Sequence, residues 1–92
     1  MSCGTDVLAA YVGATGTAVA FGTRVRGVHL TGGGTAGAIE LRDGGAGGGL
    51  RMRIDIPING IRDVLVPEEG VLFRTDVHAT LTGGATATIF YG

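Results

Sequence analysis

Any chemistry in this chain must come from few groups: two histidines, one cysteine, one serine and eight carboxylates. Cys3 has no neighbouring histidine or second cysteine, and a catalytic thiol needs a base and an oxyanion hole beside it. Ser2 lacks the same partners. A single cysteine cannot close an internal disulfide. His29 and His78 each sit in a strand-like run, on the side opposite most apolar neighbours. A surface or interface position is expected for both. Metal sites need clustered ligands, so the two would bind a metal together, for example across an oligomer axis. Asp55, Asp63, Asp76, Glu68 and Glu69 fall near turns or on solvated faces. Nothing singles out two of them as the acid and base of a hydrolase. The expectation is a protein that is not an enzyme and holds no cofactor.

Gly32 to Gly37 reads Gly-Gly-Gly-Thr-Ala-Gly and matches G-x-G-x-x-G literally. A dinucleotide site needs a helix after the glycines, with its N-terminus at the pyrophosphate. Here a strand pattern follows, and 19 of 92 residues are Gly, so a flexible hairpin loop is the expectation. A Walker A loop is excluded because lysine is absent. The run Gly44 to Gly49 reads as a mobile hairpin tip or a loop laid against another protein.

Charge adds little pull toward any polyanion. Seven basic and eight acidic residues give a net charge of −1, so neither nucleic acid nor an anionic membrane is an expected partner. No apolar run is long enough for a membrane-spanning helix. No basic region followed by an apolar stretch opens the chain, so no signal peptide is expected. Arg51, Arg53 and Asp55 form one charged stripe. It reads as a solvated sheet face with cross-strand ion pairs, or as an interface contacting acidic groups on a partner.

The elements that would position these groups are strands. Leu50 to Ile56 alternates without a break, with Leu50, Met52, Ile54 and Ile56 on one side and the charged stripe on the other. That is the pattern of an antiparallel strand with one solvated face. Ala38 to Arg42, Val77 to Leu81 and Ala85 to Tyr91 read the same way. Thr17 to Thr31 predicts two short strands or one bent strand, with a bulge at Gly27 where the alternation slips. Val71 to Phe73 predicts a strand buried on both sides. Asn59-Gly60 is a favoured two-residue hairpin turn, so Ile54 to Ile58 is expected to pair with Ile61 to Val66. Pro67 to Gly70 predicts a charged turn. No window carries a convincing helix period. The fold class expected is all-β: one small sandwich or barrel of about seven or eight short antiparallel strands. Residues 1–14 are expected to form an N-terminal arm, either extended or with one helical turn over Asp6 to Tyr11, and residues 15–92 the β domain.

Four segments carry a resemblance. They are Arg24 to Leu30 (RVRGVHL), Ala38 to Gly44 (AIELRDG), Gly70 to Thr82 (GVLFRTDVHATLT) and the closing IFYG at Ile89 to Gly92. In this order, the chain from Thr17 onward resembles small Gly- and Thr-rich virion structural proteins of tailed bacteriophages. The resemblance implies a capsid decoration (cement) protein on the outer surface of the phage head, assembled in the bacterial cytoplasm. It implies a homo-oligomer, from trimer to hexamer, bound to the major capsid protein. Asp6, Val7, Leu8, Tyr11 and Val12 of the arm are then the expected contacts, with Arg51, Arg53 and Asp55 as a second set. A tail or head-tail joining component is the alternative role. A carbohydrate-binding or adhesion module fits less well, because tryptophan is absent and aromatics are few.

Overall fold

A computed structural model describes residues 8–66 and 70–92. The described residues are all-β, with no helix among them and nine antiparallel strands in two sheets. In chain order they are β1 (Leu8–Val12), β2 (Gly16–Val19), β3 (Thr23–Thr31), β4 (Gly37–Asp43) and β5 (Gly49–Ile56). They continue as β6 (Ile61–Leu65), β7 (Val71–Phe73), β8 (Val77–Leu81) and β9 (Thr86–Tyr91). Sheet A has the order β1-β9-β3-β6, with β7 also on β3; sheet B has the order β2-β8-β4-β5. β1 and β2 meet at one lateral side, and β5 and β6 line a cleft at the other.

Alternation explains the core. Val28 and Leu30 of β3, Ile39 and Leu41 of β4, and Ala87 and Ile89 of β9 all point between the sheets. Val25 joins them because the β3–β9 register shifts between Val25 and Gly27. That bulge resets the face of the strand. Phe73 is the largest fully buried side chain. The accessible surface, 4998 Å², is close to the ~4,900 Å² typical of a folded monomer of this mass. The core therefore closes within one chain, and any association must be argued from the surface.

Four expectations need correction. First, residues 8–12 are not an arm outside the β domain. They are β1, paired residue for residue with β9, and Val12 is 6% exposed in the core. A run of Leu, Ala, Ala, Tyr and Val at the open side of β9 gains a full ladder by lying down there. Second, Asn59-Gly60 does not join a hairpin. Among the described residues, β5 pairs only with β4, and β6 only with β3. Pro57 O accepts from Gly60 N at 3.0 Å, and Asn59 has φ 53°. This is a turn with positive φ at its third residue, and it carries the chain from sheet B to sheet A. Third, β7 is not buried on both sides, because Leu72 is 37% exposed. Fourth, Gly32 to Gly37 is not a hairpin loop: it carries the chain from β3 in sheet A to β4 in sheet B, tied down at Gly32 and Gly33 while Gly34 to Ala36 are exposed. Gly32 N donates to Gly60 O at 2.7 Å, and Gly33 O accepts from Asn59 N at 3.0 Å. Pro67, Glu68 and Glu69 lie outside the described residues.

Candidate functional site

The two sheets present unlike outer faces. On sheet B, Glu40 and Arg42 of β4 stand beside Arg53 and Asp55 of β5. Arg53 Nη1 donates to Glu40 Oε2 at 2.6 Å, and Arg53 Nε donates to Asp55 Oδ1 at 3.1 Å. Arg42 Nη2 donates to Glu40 Oε1 at 3.1 Å. The Arg42 hydrogen bond, with that from Arg53, holds the Glu40 carboxyl below its ordinary range. Hydrogen bonding to Asp55 raises Arg53 further above its own. Arg51 has no register partner at the β4–β5 irregularity and lies 3.6 Å from Asp43. The Arg51, Arg53 and Asp55 stripe thus has its charges answered within the chain.

Beside this face, two turns hold each other through one aspartate apiece. Asp43 accepts from Arg74 N and Thr75 N, both at 2.8 Å. Asp76 accepts from Gly44 N at 2.9 Å and Gly45 N at 3.1 Å. Arg42 Nη1 adds a bond to Gly48 O at 3.2 Å. The Gly44 to Gly49 tip, expected to be mobile or docked on a partner, is pinned to its own chain. The hydrogen bonds from Arg74 and Thr75 depress the Asp43 carboxyl. A carboxyl lowered by folding stabilises the fold above its unfolded pKa, and that stability is lost as pH falls through the folded value. Asp43→Asn should lower the melting temperature at pH 7 more than Asp55→Asn does. It should also flatten the fall in melting temperature between about pH 5 and pH 2. Melts followed by circular dichroism across that range check both.

The outer face of sheet A is different. Register places Ala9, Phe90, Gly27 and Leu65 in one row across four strands. The next row is Tyr11, Thr88, His29 and Asp63, and the third contains Thr86, Thr31 and Ile61. Leu65 is 85% exposed, Tyr11 71%, Ile61 67% and Phe90 36%. Within these three rows the ionisable side chains are Tyr11, His29 and Asp63, and His29 Nδ1 and Asp63 Oδ1 share a hydrogen bond; Arg24, paired with exposed Leu72, and Arg26, whose Nε donates to Gly92 O at 3.0 Å, border them. Gly27 leaves a dip between Leu65 and Phe90, whose side chains would lie 3.5 and 3.7 Å from a Cβ there. Clustered exposed apolar groups of this kind mark interaction surfaces.

The structure thus distributes the sequence candidates widely. Tyr11 lies on the apolar face and Leu8 is half-exposed at its edge, whereas Val12 is in the core. Asp6, Val7, Cys3 and Ser2 lie outside the described residues. Leu65, Ile61 and Phe90 were not anticipated, since alternation in β6 does not say which side is covered. His29 and His78 belong to different sheets. His78, expected at a surface or interface, is 9% exposed, and its Nε2 has no hydrogen-bond partner among the described residues. It sits on the central strand β8, between Thr17 and Arg42 in register, and flanking strands cover it. Among the described residues, no three His, Cys, Asp or Glu converge on a metal position. An open cleft of about 510 Å³ has Ile56 and Pro57 in its wall and Arg53, Asp55 and Arg62 beside them. Its described lining contains no histidine, cysteine or serine.

No protein-family model matches the sequence, and neither curated proteins nor solved structures yield a match.

Proposed function

We propose that this chain is a structural protein of a tailed-phage virion, a decoration protein that binds the major capsid protein on the outside of the head. It is not an enzyme, and it acts by occupying a lattice. The observation that carries the reading is the outer face of sheet A, where exposed Tyr11, Ile61, Leu65 and Phe90 surround one His29–Asp63 pair. Opposite it, the sheet B face is charged and internally paired. A flat apolar patch supplies the buried centre of a protein contact, and a charged, satisfied face keeps the exposed side soluble. Many copies on one shell add avidity, so each contact can be weak. Binding to assembled coat and not to free subunits then stabilises the shell by mass action.

Deleting residues 1–12 cannot test this, because it removes β1 from sheet A. Surface variants can. Leu65→Arg should leave the melting temperature nearly unchanged, since exposed positions usually tolerate substitution. It should nonetheless reduce co-sedimentation with undecorated heads at least tenfold. Thr80→Arg, on the opposite face, should bind as the parent chain does. Equal binding by both variants would sink the proposed face. Failure of the parent chain to bind heads would sink the decoration role. Closed rings on isolated tails or portals would favour the joining role, and binding to a glycan array would favour adhesion.

A further inference from the structure

Sheet edges are where chains add to one another, and folded proteins protect them with charge, bulges or short length. Most edges here are protected in one of these ways. β5 carries Arg51, Arg53 and Asp55 and a register irregularity at Arg51. β2 has four residues and a register shift between Thr17 and Val19. β6 carries Arg62 and Asp63, and β7 has three residues. β1 differs. It is Leu-Ala-Ala-Tyr-Val, with five regular pairs to β9 and no charge, Pro, Gly or bulge. Among the described residues, no strand pairs with its other side.

We infer that β1 is the strand through which a second copy of this chain adds, antiparallel, about a two-fold axis at Ala10. The segment is self-complementary in that register. Ala10 meets Ala10, Leu8 meets Val12, and Ala9 meets Tyr11 of the other copy. On the outer face the large Tyr11 ring is therefore set against the small Ala9, twice. On the other side, the half-exposed Leu8 gains an apolar neighbour. Neither strand brings a charge, so like does not repel like, as it would at β5. An isologous contact of this kind closes on itself and stops at two chains. It also joins two apolar sheet A faces into one continuous surface, with both Tyr11 rings near the axis. The pairing stands on the edge alone and does not depend on the virion reading.

A five-residue ladder is a small contact. Association should therefore appear as a rise in apparent mass between about 1 µM and 1 mM, the range of weak affinities. Sedimentation equilibrium on the full chain reads this directly. Register is read by cross-linking in a Cys3→Ser background. Ala9→Cys and Tyr11→Cys chains, mixed, should give the mixed disulfide well above the one-half share of random collision. Facing positions lie close enough to bridge, and like positions sit on the diagonal. The double variant Ala9→Lys/Tyr11→Lys should stay monomeric with an unchanged melting temperature. A parent chain that is monomeric throughout, or a random disulfide distribution, would overturn the inference. So would a dimer that survives both lysines. A monomer that still coats heads removes this pairing and keeps the decoration role; a dimer that ignores heads does the reverse.

Discussion

Phe73→Ala should cost about 3–5 kcal/mol of folding stability, the usual range for deleting a buried ring. A domain of this size has roughly 5–14 kcal/mol in total, so the variant stands near the edge of unfolding. The reasons are local. Phe73 is completely buried and is the largest such side chain, in a strand of three residues. Its buried neighbours in the core are Val, Leu, Ile and Ala on strands fixed by their ladders. They cannot swing into the vacated space, so the cavity persists. The next residues are also tethered, because Asp43 holds Arg74 N and Thr75 N. Phe73→Leu keeps most of the volume and should lose less than half as much. Urea denaturation of the three chains gives the comparison. A loss below about 1 kcal/mol for the alanine variant would mean the sheets do not close over this ring as described.

Gly37→Ala should be the most damaging of the single-methyl additions, costing roughly 3 kcal/mol, the upper range for overpacking. A Cβ at Gly37 would fall on the Thr82 carbonyl oxygen, 2.7 Å from Thr82 C and 3.0 Å from Gly83 Cα. All three are backbone atoms, so no rotamer change relieves the clash. The approach is also held by hydrogen bonds. Thr82 N donates to Ala38 O and Ala38 N donates to Thr82 Oγ1, each at 3.0 Å. Gly34→Ala is the control, three residues away in the same Gly-rich run. A Cβ there meets nothing within 4 Å. Its main effect is to restrict the unfolded chain, so it should be neutral or stabilising by up to about 1 kcal/mol. At about 4–8 °C per kcal/mol for a domain of this size, paired thermal melts separate the two easily. Similar melting temperatures would mean that the junction yields.

The strands themselves were largely legible. Alternation marked β4, β5, β8 and β9, and the slip near Gly27 marked the bulge in β3. Period two reports which residues share a face; it does not report which sheet a strand joins. That is why Asn59-Gly60 misled. A positive φ at Asn59 serves a tight hairpin and a sheet-crossing turn equally well. His78 misled for a related reason. Its side of β8 looked solvated from its neighbours in sequence, but β2 and β4 flank it in space. The apolar face was illegible because its three rows are drawn from four strands far apart in the chain. Of that face, only Ala9 and Tyr11 belong to the N-terminal segment that the sequence marks for binding.

The order of pairing also constrains the sequence of events after synthesis. Among the described residues, only the β4–β5 ladder joins strands adjacent in the chain. Sheet B otherwise waits for β8, β3 waits for β6 and β7, and β1 waits for β9. Long loops must close before such contacts can form, which places folding in the slow, millisecond-to-second class. On the ribosome, at about 5–20 residues per second, Leu8 to Val12 spends seconds as an apolar segment with no ladder. The hairpin of residues 37–56 can form early; β1 gains its place only when residues 87–91 emerge. Until then both edges of β1 are open, so the strand that would join two copies is also the one left longest without a partner of its own.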